Sequence, residues 1–455
     1  MGFRYWIILT VLTTSIVGKG IAQSIETTIS LPAQASARDL LYNPISNKIY
    51  TANVPDVGMP SQRSVTIIDG QTNGILTTLQ VPEGPRDFCH NTLQNRIYVA
   101  NYFADTVTVI DGVTNQLIGY VRVGDGPRAL CYNSQDNKIY CANESSNNVT
   151  IIDGSSNAVI ATVPVGITPR VLCYNSVSNK VYVPNAGSQN VTIIGGSTNT
   201  VVATVAAGNI PRGIVFNPQN NRVYVSNYSS DNITVIDGNL NAVIATIPVG
   251  DGPTAMFHNP SGNSIYCSNV GAPGPNTPSA CTISIVDAGS NTVVKTLTTG
   301  DEPTAFCYSP VNKKIYWVNE WSHSVSIVRA TNDSLLKVIS LGSGLVQPVD
   351  MCYNSVNERI YTANRLTYDL TVIKDTQLVT GITPMPVNGS PLVFFPNPSS
   401  GVVKLSRKAM VRLYSLVGEL LYASPGPVNQ LDITFLPAGM YLLQTERGMI
   451  RLIRL

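Results

Sequence analysis

Charge is scarce in this sequence. Of 455 residues, 12% are Asp, Glu, Lys or Arg, about half the quarter usual for a soluble domain. The net charge of +2 comes from the ends: residues 1–22 carry Arg4 and Lys19 without an acid, and residues 392–455 carry seven Lys or Arg against three acids. The middle is left mildly acidic, which excludes the basic footprint of a nucleic-acid binder. Histidine is scarcer still. His90, His258 and His323 lie far apart and give no zinc or copper spacing. No nucleophile elbow, phosphate loop or calcium loop is present. No metal, cofactor or catalytic residue is therefore expected. Helical periodicity is missing as well.

Long apolar runs are absent except at the start. There Arg4 precedes "YWIILTVLTTSIV" and "GIAQ" follows. This reads as a secretory signal over residues 1–22, with small Gly20 and Ala22 before the cleavage point. The run is short for a membrane span, so no transmembrane segment is expected in the mature chain.

What is present is a repeat. Its anchor is Tyr50 in "IYTAN", followed by Tyr98, Tyr140, Tyr182, Tyr224, Tyr266, Tyr316 and Tyr361 in the same phrase, 42 to 50 residues apart. A period in the low forties fits a four-stranded propeller blade. "RALCYN", "KIYCAN", "NVTIIDG" and "AVIATVPVG" are short, β-branched and separated by Asn, Asp, Gly and Ser turns. Only seven repeats have a good fourth strand. "SIETTISLPA", residues 24–33, resembles the missing one. The expectation is an all-β, eight-bladed propeller closed by its N-terminal strand, with seven blades as the alternative.

The phrase "VYVSN…NITVIDGNLNAVIATIPVG" resembles the YVTN family of β-propellers on secreted and cell-surface proteins of bacteria and archaea. The resemblance covers roughly residues 24–376 and implies a fold more than a function. After "TGITPMPVNGSPL" the character changes. "FFPNPSSGVVKLS", "YSLVGELL", "LPAGMYLL" and the basic-apolar end resemble the type A C-terminal sorting domain of type IX secretion. That resemblance implies a small β-sandwich, a partner in the secretion machinery, passage through the periplasm, and release or attachment at the outer-membrane surface. Arg451 and Arg454 stand where Lys is usual. The organisation expected is a signal at 1–22, a propeller at 23–382, a linker at 383–391 and a sorting domain at 392–455.

Family geometry implies that the start of each innermost strand lies at the channel mouth. That position holds Arg38, Arg86, Arg128, Arg170 and Arg212, then Thr254, Thr304 and Val349. The next holds Asp39, Asp87 and Asp350 among small or apolar residues. Two readings apply. The arginines brace neighbouring blades, as repeated residues commonly do, or Arg128, Arg170 and Arg212, having no Asp beside them, form an arc for anions. Glu144 is placed to pair with one of them. Tyr102, Tyr228, Glu320 and Trp321 fall on the same face and suit a sugar or peptide.

Of eight cysteines, Cys89, Cys131, Cys173, Cys307 and Cys352 share one innermost-strand position and read as small buried hydrophobes. Cys267 and Cys281 flank a Gly/Pro-rich loop, and a disulfide between them is expected in an exported protein. Two function classes remain. The first is a non-enzymatic surface binding, adhesion or scaffold module for an extracellular glycan, peptide or small anion. The second is a secreted lyase or lactonase working through Asp39, Asp87, Asp350 and Glu320. The lack of a His or metal constellation favours the first.

Overall fold

The computed structural model describes residues 23–32, 35–54, 63–271, 281–376, 394–395, 401–414, 420–445 and 448–454. The signal segment, the loop between Cys267 and Cys281, and the 383–391 linker lie wholly or mostly outside them. No helix among the described residues is long and apolar enough to cross a membrane. The repeats form one unit, Ala22–Gln377, and the C-terminal strands belong to a second. The division thus falls a few residues before the boundary expected from sequence.

Each repeat folds into one antiparallel sheet. In the third, Pro127–Asn133, Lys138–Asn143, Asn148–Asp153 and Val159–Pro164 lie in that order, and Tyr140 pairs with Cys131 on one side and Ile151 on the other. Eight such four-stranded sheets occur in this unit among the described residues. Their innermost strands neighbour one another in cyclic order, the last against the first. In the eighth sheet, Ile25–Ser30 supplies the outermost strand, with Thr28 paired to Thr371. The eight-bladed ring with N-terminal closure is therefore what the chain forms. Glu26 locks the closure through two hydrogen bonds from Arg359, of 2.8 and 2.5 Å. One sheet departs from the pattern. In the fourth, the innermost strand shrinks to Cys173–Asn175, with an isolated bridge from Pro169 to Asn185.

The recurring words have physical reasons. The Asn ending each second strand is buried, and its amide donates to hydroxyl or amide groups of the third strand. Asn143 reaches Asn148 Oδ1 at 2.7 Å and Thr150 Oγ1 at 2.9 Å, and Asn227 and Asn319 do the same in their sheets. A buried amide must be satisfied, and this one ties the two central strands where the loop begins. The anchoring Tyr is fully buried in every repeat. In most repeats its hydroxyl bonds the turn of the next sheet, as from Tyr98 to Asn157 Oδ1 at 2.6 Å and Tyr361 to Asn73 Oδ1 at 2.6 Å. The Asp of each Asp-Gly turn caps its own loop: Asp69 Oδ1 accepts from the Gln71 and Thr72 amides, a local bond that favours the turn.

The C-terminal unit, taken by itself, is a small sandwich. One sheet holds Phe394–Phe395, Val402–Ala409 and Val428–Asp432; the other holds Leu420–Ala423, Arg412–Tyr414, Gly439–Thr445 and Gly448–Arg454. Val403, Leu405 and Leu431 of the first pack with Leu413, Leu443 and Leu452 of the second.

Candidate functional site

The mouth is built from two stretches of each repeat. The innermost strand begins with Pro followed by the Arg position, and in the third repeat Pro127 pairs with Asn143. The residue sixteen places after the Arg therefore lies beside it, just past the second strand. That companion is Val54, Tyr102, Glu144, Ala186 or Tyr228 for Arg38, Arg86, Arg128, Arg170 and Arg212 in turn. What each guanidinium does follows from its companions.

Glu144 holds two arginines. Its carboxylate accepts from Arg128 Nη1 at 2.8 Å and from Arg170 Nε at 2.8 Å. Burial alone would raise its pKa, but the charges and hydrogen bonds of Arg128 and Arg170 prevail and hold it below the usual carboxylate range. The expected open arc of Arg128, Arg170 and Arg212 is thus corrected: two of its three members are clamped.

Arg212 and Arg86 behave differently. Each guanidinium carbon lies 4.9 Å from the ring centre of its own Tyr, Tyr228 or Tyr102. Among the described residues, neither makes a hydrogen bond or ion pair. Cation–π stacking occupies the guanidinium face and leaves its donor edge available. Burial, then the charge of Arg128, lowers the Arg86 pKa. Phe103 meets Tyr102 edge-on, with ring centres 5.0 Å apart, and is 69% exposed.

Two cavities open here. One of about 620 Å³ is lined by Arg128, Arg170, Arg212, Thr254, Glu302 and Asp350 among others. The second, of about 400 Å³, is lined by Arg38, Arg63, Glu83, Arg86, Tyr102 and Phe103 among others. Arg63 and Glu83 pair at 2.5 Å, so Glu83 does not neutralise Arg86.

Blade bracing is shared between arginine, through Arg170 on Glu144 of the preceding sheet, and aspartate. Asp350 Oδ2 accepts from the Leu40 amide of the next sheet at 2.7 Å, and Asp87 Oδ2 from the Leu130 amide at 2.6 Å. Asp39 uses the Phe88 amide in the same way. The three carboxyls crowd one side of the channel. Burial, then the neighbouring Asp350 and Asp87, raises Asp39 strongly. Burial pushes Asp87 up to about 7 and Asp350 up to about 6. The trio therefore takes up protons at a higher pH than free carboxylates do. In the fifth repeat an Asp is impossible, because a Cβ on Gly213 would collide with the Thr254 carbonyl.

Around the seventh blade, Trp321 is 55% exposed, whereas Trp317 is fully buried and donates to Thr299 Oγ1 at 2.5 Å. Glu320 is pushed up by burial and then by Glu302, against Arg365 and Arg38. His323 is a bracket: its Nδ1 accepts from the Gln347 amide at 3.2 Å. It occupies the place just before the third strand where Asp105, Asn147 and Asp231 accept from Gly126, Thr168 and Gly252. Cys281 sits at that same place, its sulfur accepting from the Glu302 amide at 3.4 Å.

That observation corrects the expected Cys267–Cys281 disulfide; both are free thiols. Cys267 pairs with Ser284 and Asn269 with Thr282, so Cys281 falls three places along the ladder from Cys267. That is a separation of roughly 10 Å, beyond the reach of a disulfide.

A β-propeller with an arginine-lined mouth is the class these features define. The family model "Lactonase, 7-bladed beta-propeller" matches residues 115–252, about three of the eight repeats. A solved structure of Kuenenia stuttgartiensis hydrazine synthase is similar at 18% identity and a TM-score of 0.50, covering 64% of this chain and 96% of that chain. At that identity the likeness concerns the fold. No curated protein sequence matches significantly.

Proposed function

We propose that this chain is an exported, YVTN-type propeller that binds an extracellular anion at its channel mouth and is delivered to the cell surface by its C-terminal domain. The observation that carries the binding reading is the pair of Arg–Tyr stacks. Arg86 and Arg212 line the two cavities and, among the described residues, make no ion pair with a carboxylate. An acidic sugar satisfies both halves of such a stack, its carboxylate taking the guanidinium fork and its ring lying against Phe103 or Tyr228. Trp321 and Glu320 extend the same face.

The export reading rests on the leader-like residues 1–22, the "LPAGMYLL" strand and the sandwich that contains it. Type IX machinery is the partner this implies. A second reading keeps an observation of its own. Asp87 and Asp350, with raised pKa values, line a cavity and, with a partial lactonase match, suit an acid-base enzyme. A panel of acidic glycans and small anions, run alongside a lactone-hydrolysis and polyuronate-lyase screen, separates the two. Saturable binding of a carboxylated sugar without turnover supports the binding module. Turnover abolished by Asp87→Asn overturns it. Cell fractionation of the full-length and 1–382 chains tests the delivery reading.

A further inference from the structure

At the closure of the ring, the side chain of Asp375 is wholly buried together with that of Lys314. Its Oδ1 receives Lys314 Nζ at 3.0 Å and the Tyr316 hydroxyl at 2.6 Å. Its Oδ2 receives nothing from the described residues. An orphaned carboxylate oxygen in a protein interior is costly. The other repeats avoid the problem, because at this place they carry the Gly or Ala of the turn, whose carbonyl in most of them meets the basic residue of the preceding sheet, as Gly112 meets Lys48.

The segment that faces Asp375 is the beginning of the closure strand. Ser24 accepts from the Lys374 amide at 3.2 Å, which sets Gln23 opposite Asp375 in the antiparallel register. Gln23 is buried; its side chain donates to the Tyr316 hydroxyl at 3.1 Å, and its carbonyl accepts from Lys337 Nζ at 2.6 Å. The same hydroxyl bonds Asp375, so the two side chains share one small polar chamber. Glu358, whose carbonyl accepts the Asp375 amide at 2.8 Å, adds negative charge nearby.

We propose that removal of the leader creates the missing donor: the new N-terminal amine of Gln23 pairs with Asp375 Oδ2 and locks the ring. This rests on the reading of residues 1–22 as a cleaved signal. Hydrolysis of the Ala22–Gln23 peptide bond consumes one water, leaves the carboxylate on Ala22, and leaves an ammonium on Gln23. The burial of Gln23 orders the events. The bond is open to a peptidase only before Ile25–Ser30 docks, so cleavage precedes closure.

The test uses the chain from Gln23 to Leu455, freed of its tag so that it begins at Gln23, beside the same chain with a Gly-Ser-Gly extension. Both are made with Asp375 and with Asp375→Asn, and intact mass verifies that the terminal glutamine has kept its amine. The extension should lower the melting temperature by about 5 °C or more, and Asp375→Asn should erase that difference. In the native Gln23-initiated chain, the amine should resist acylation that proceeds once the chain unfolds. Equal melting temperatures with and without the extension, or native labelling as fast as unfolded, overturn the pairing. N-terminal sequencing of the exported protein addresses the leader separately: a start other than Gln23 refutes the cleavage reading, whatever the engineered chains show.

Discussion

On the face that carries the Asp-Gly turns, a basic residue leads the second strand of most repeats and reaches the next sheet's turn carbonyl. Lys138 meets Gly196 at 2.7 Å, Lys180 meets Gly238 at 2.7 Å, Arg96 meets Gly154 at 3.0 Å and Arg359 meets Gly70 at 2.9 Å. On the mouth face a basic residue also recurs, in five consecutive repeats, but the partners of Arg86, Arg128, Arg170 and Arg212 are of two kinds: Tyr102 and Tyr228 for the first and last, Glu144 for the two between. The turn face is nearly uniform because most junctions in a ring of repeated sheets use the same bond. The mouth face is uneven, and two guanidiniums there make no hydrogen bond or ion pair among the described residues. Regular repetition of a charged residue marks architecture; regular residue with irregular partner marks a site.

The comparison can be broken most severely at the closure. Deleting residues 24–33 should abolish cooperative unfolding of the propeller, seen as a broad thermal transition with aggregation, because an eighth sheet of three strands exposes an edge. A transition unchanged in midpoint would show that closure contributes little.

Glu144→Gln probes the uneven face next. It should destabilise by about 1–2 kcal/mol, a figure discounted for the part-exposed arginines. It should also strengthen anion binding by freeing Arg128 and Arg170. Because the folded-state pKa of Glu144 is depressed, its contribution exists above the unfolded value of about 4.3 and is lost as pH falls through the folded value. Chemical denaturation at several acidic pH values checks this.

The channel carboxyls have the opposite sign. Their folded-state pKa values are raised, so the native state holds more protons than the unfolded chain between about pH 4 and about pH 7 for Asp87. Stability should decline across that window as pH rises, and Asp87→Asn should flatten the slope. A slope that persists unchanged would remove Asp87 from the account.

A smaller contrast lies within the turn face. Tyr361→Phe removes a 2.6 Å hydrogen bond and should cost about 1 kcal/mol. Tyr182→Phe should be nearly neutral, because the Tyr182 hydroxyl makes no hydrogen bond among the described residues. Equal effects would mean that the Tyr repeats for its ring alone.

Most of the fold was legible because each sheet is encoded locally. Tyr140, Asn143 and the Asp153-Gly154 turn recur at fixed spacing, and the orphan fourth strand announced the closure. The site was half legible. Position identified the five arginines, but commitment depends on contacts across sheets, such as Arg170 on Glu144, which lies 26 residues earlier in the chain. One signal was available: the companion sixteen residues on reads Tyr for Arg86 and Arg212 and Glu for Arg128. The disulfide failed because loop composition says nothing of ladder register, which sets Cys267 and Cys281 too far apart. Bracing by Arg was legible and holds for Arg170 on Glu144; what the sequence did not show is that Asp87 and Asp350 also reach the neighbouring sheet's amides.

The central claim is that Arg86 and Arg212 receive the ligand while Arg128 and Arg170 hold the mouth together. Isothermal titration of an oligogalacturonate into the wild type, Arg86→Gln/Arg212→Gln and Arg128→Gln/Arg170→Gln decides it, with melting temperature recorded on each. The account predicts that the first variant loses affinity about tenfold per guanidinium at unchanged melting temperature. It predicts that the second loses stability and keeps most of its affinity. The reverse pattern, affinity lost with Arg128 and Arg170 and stability lost with Arg86 and Arg212, would contradict it.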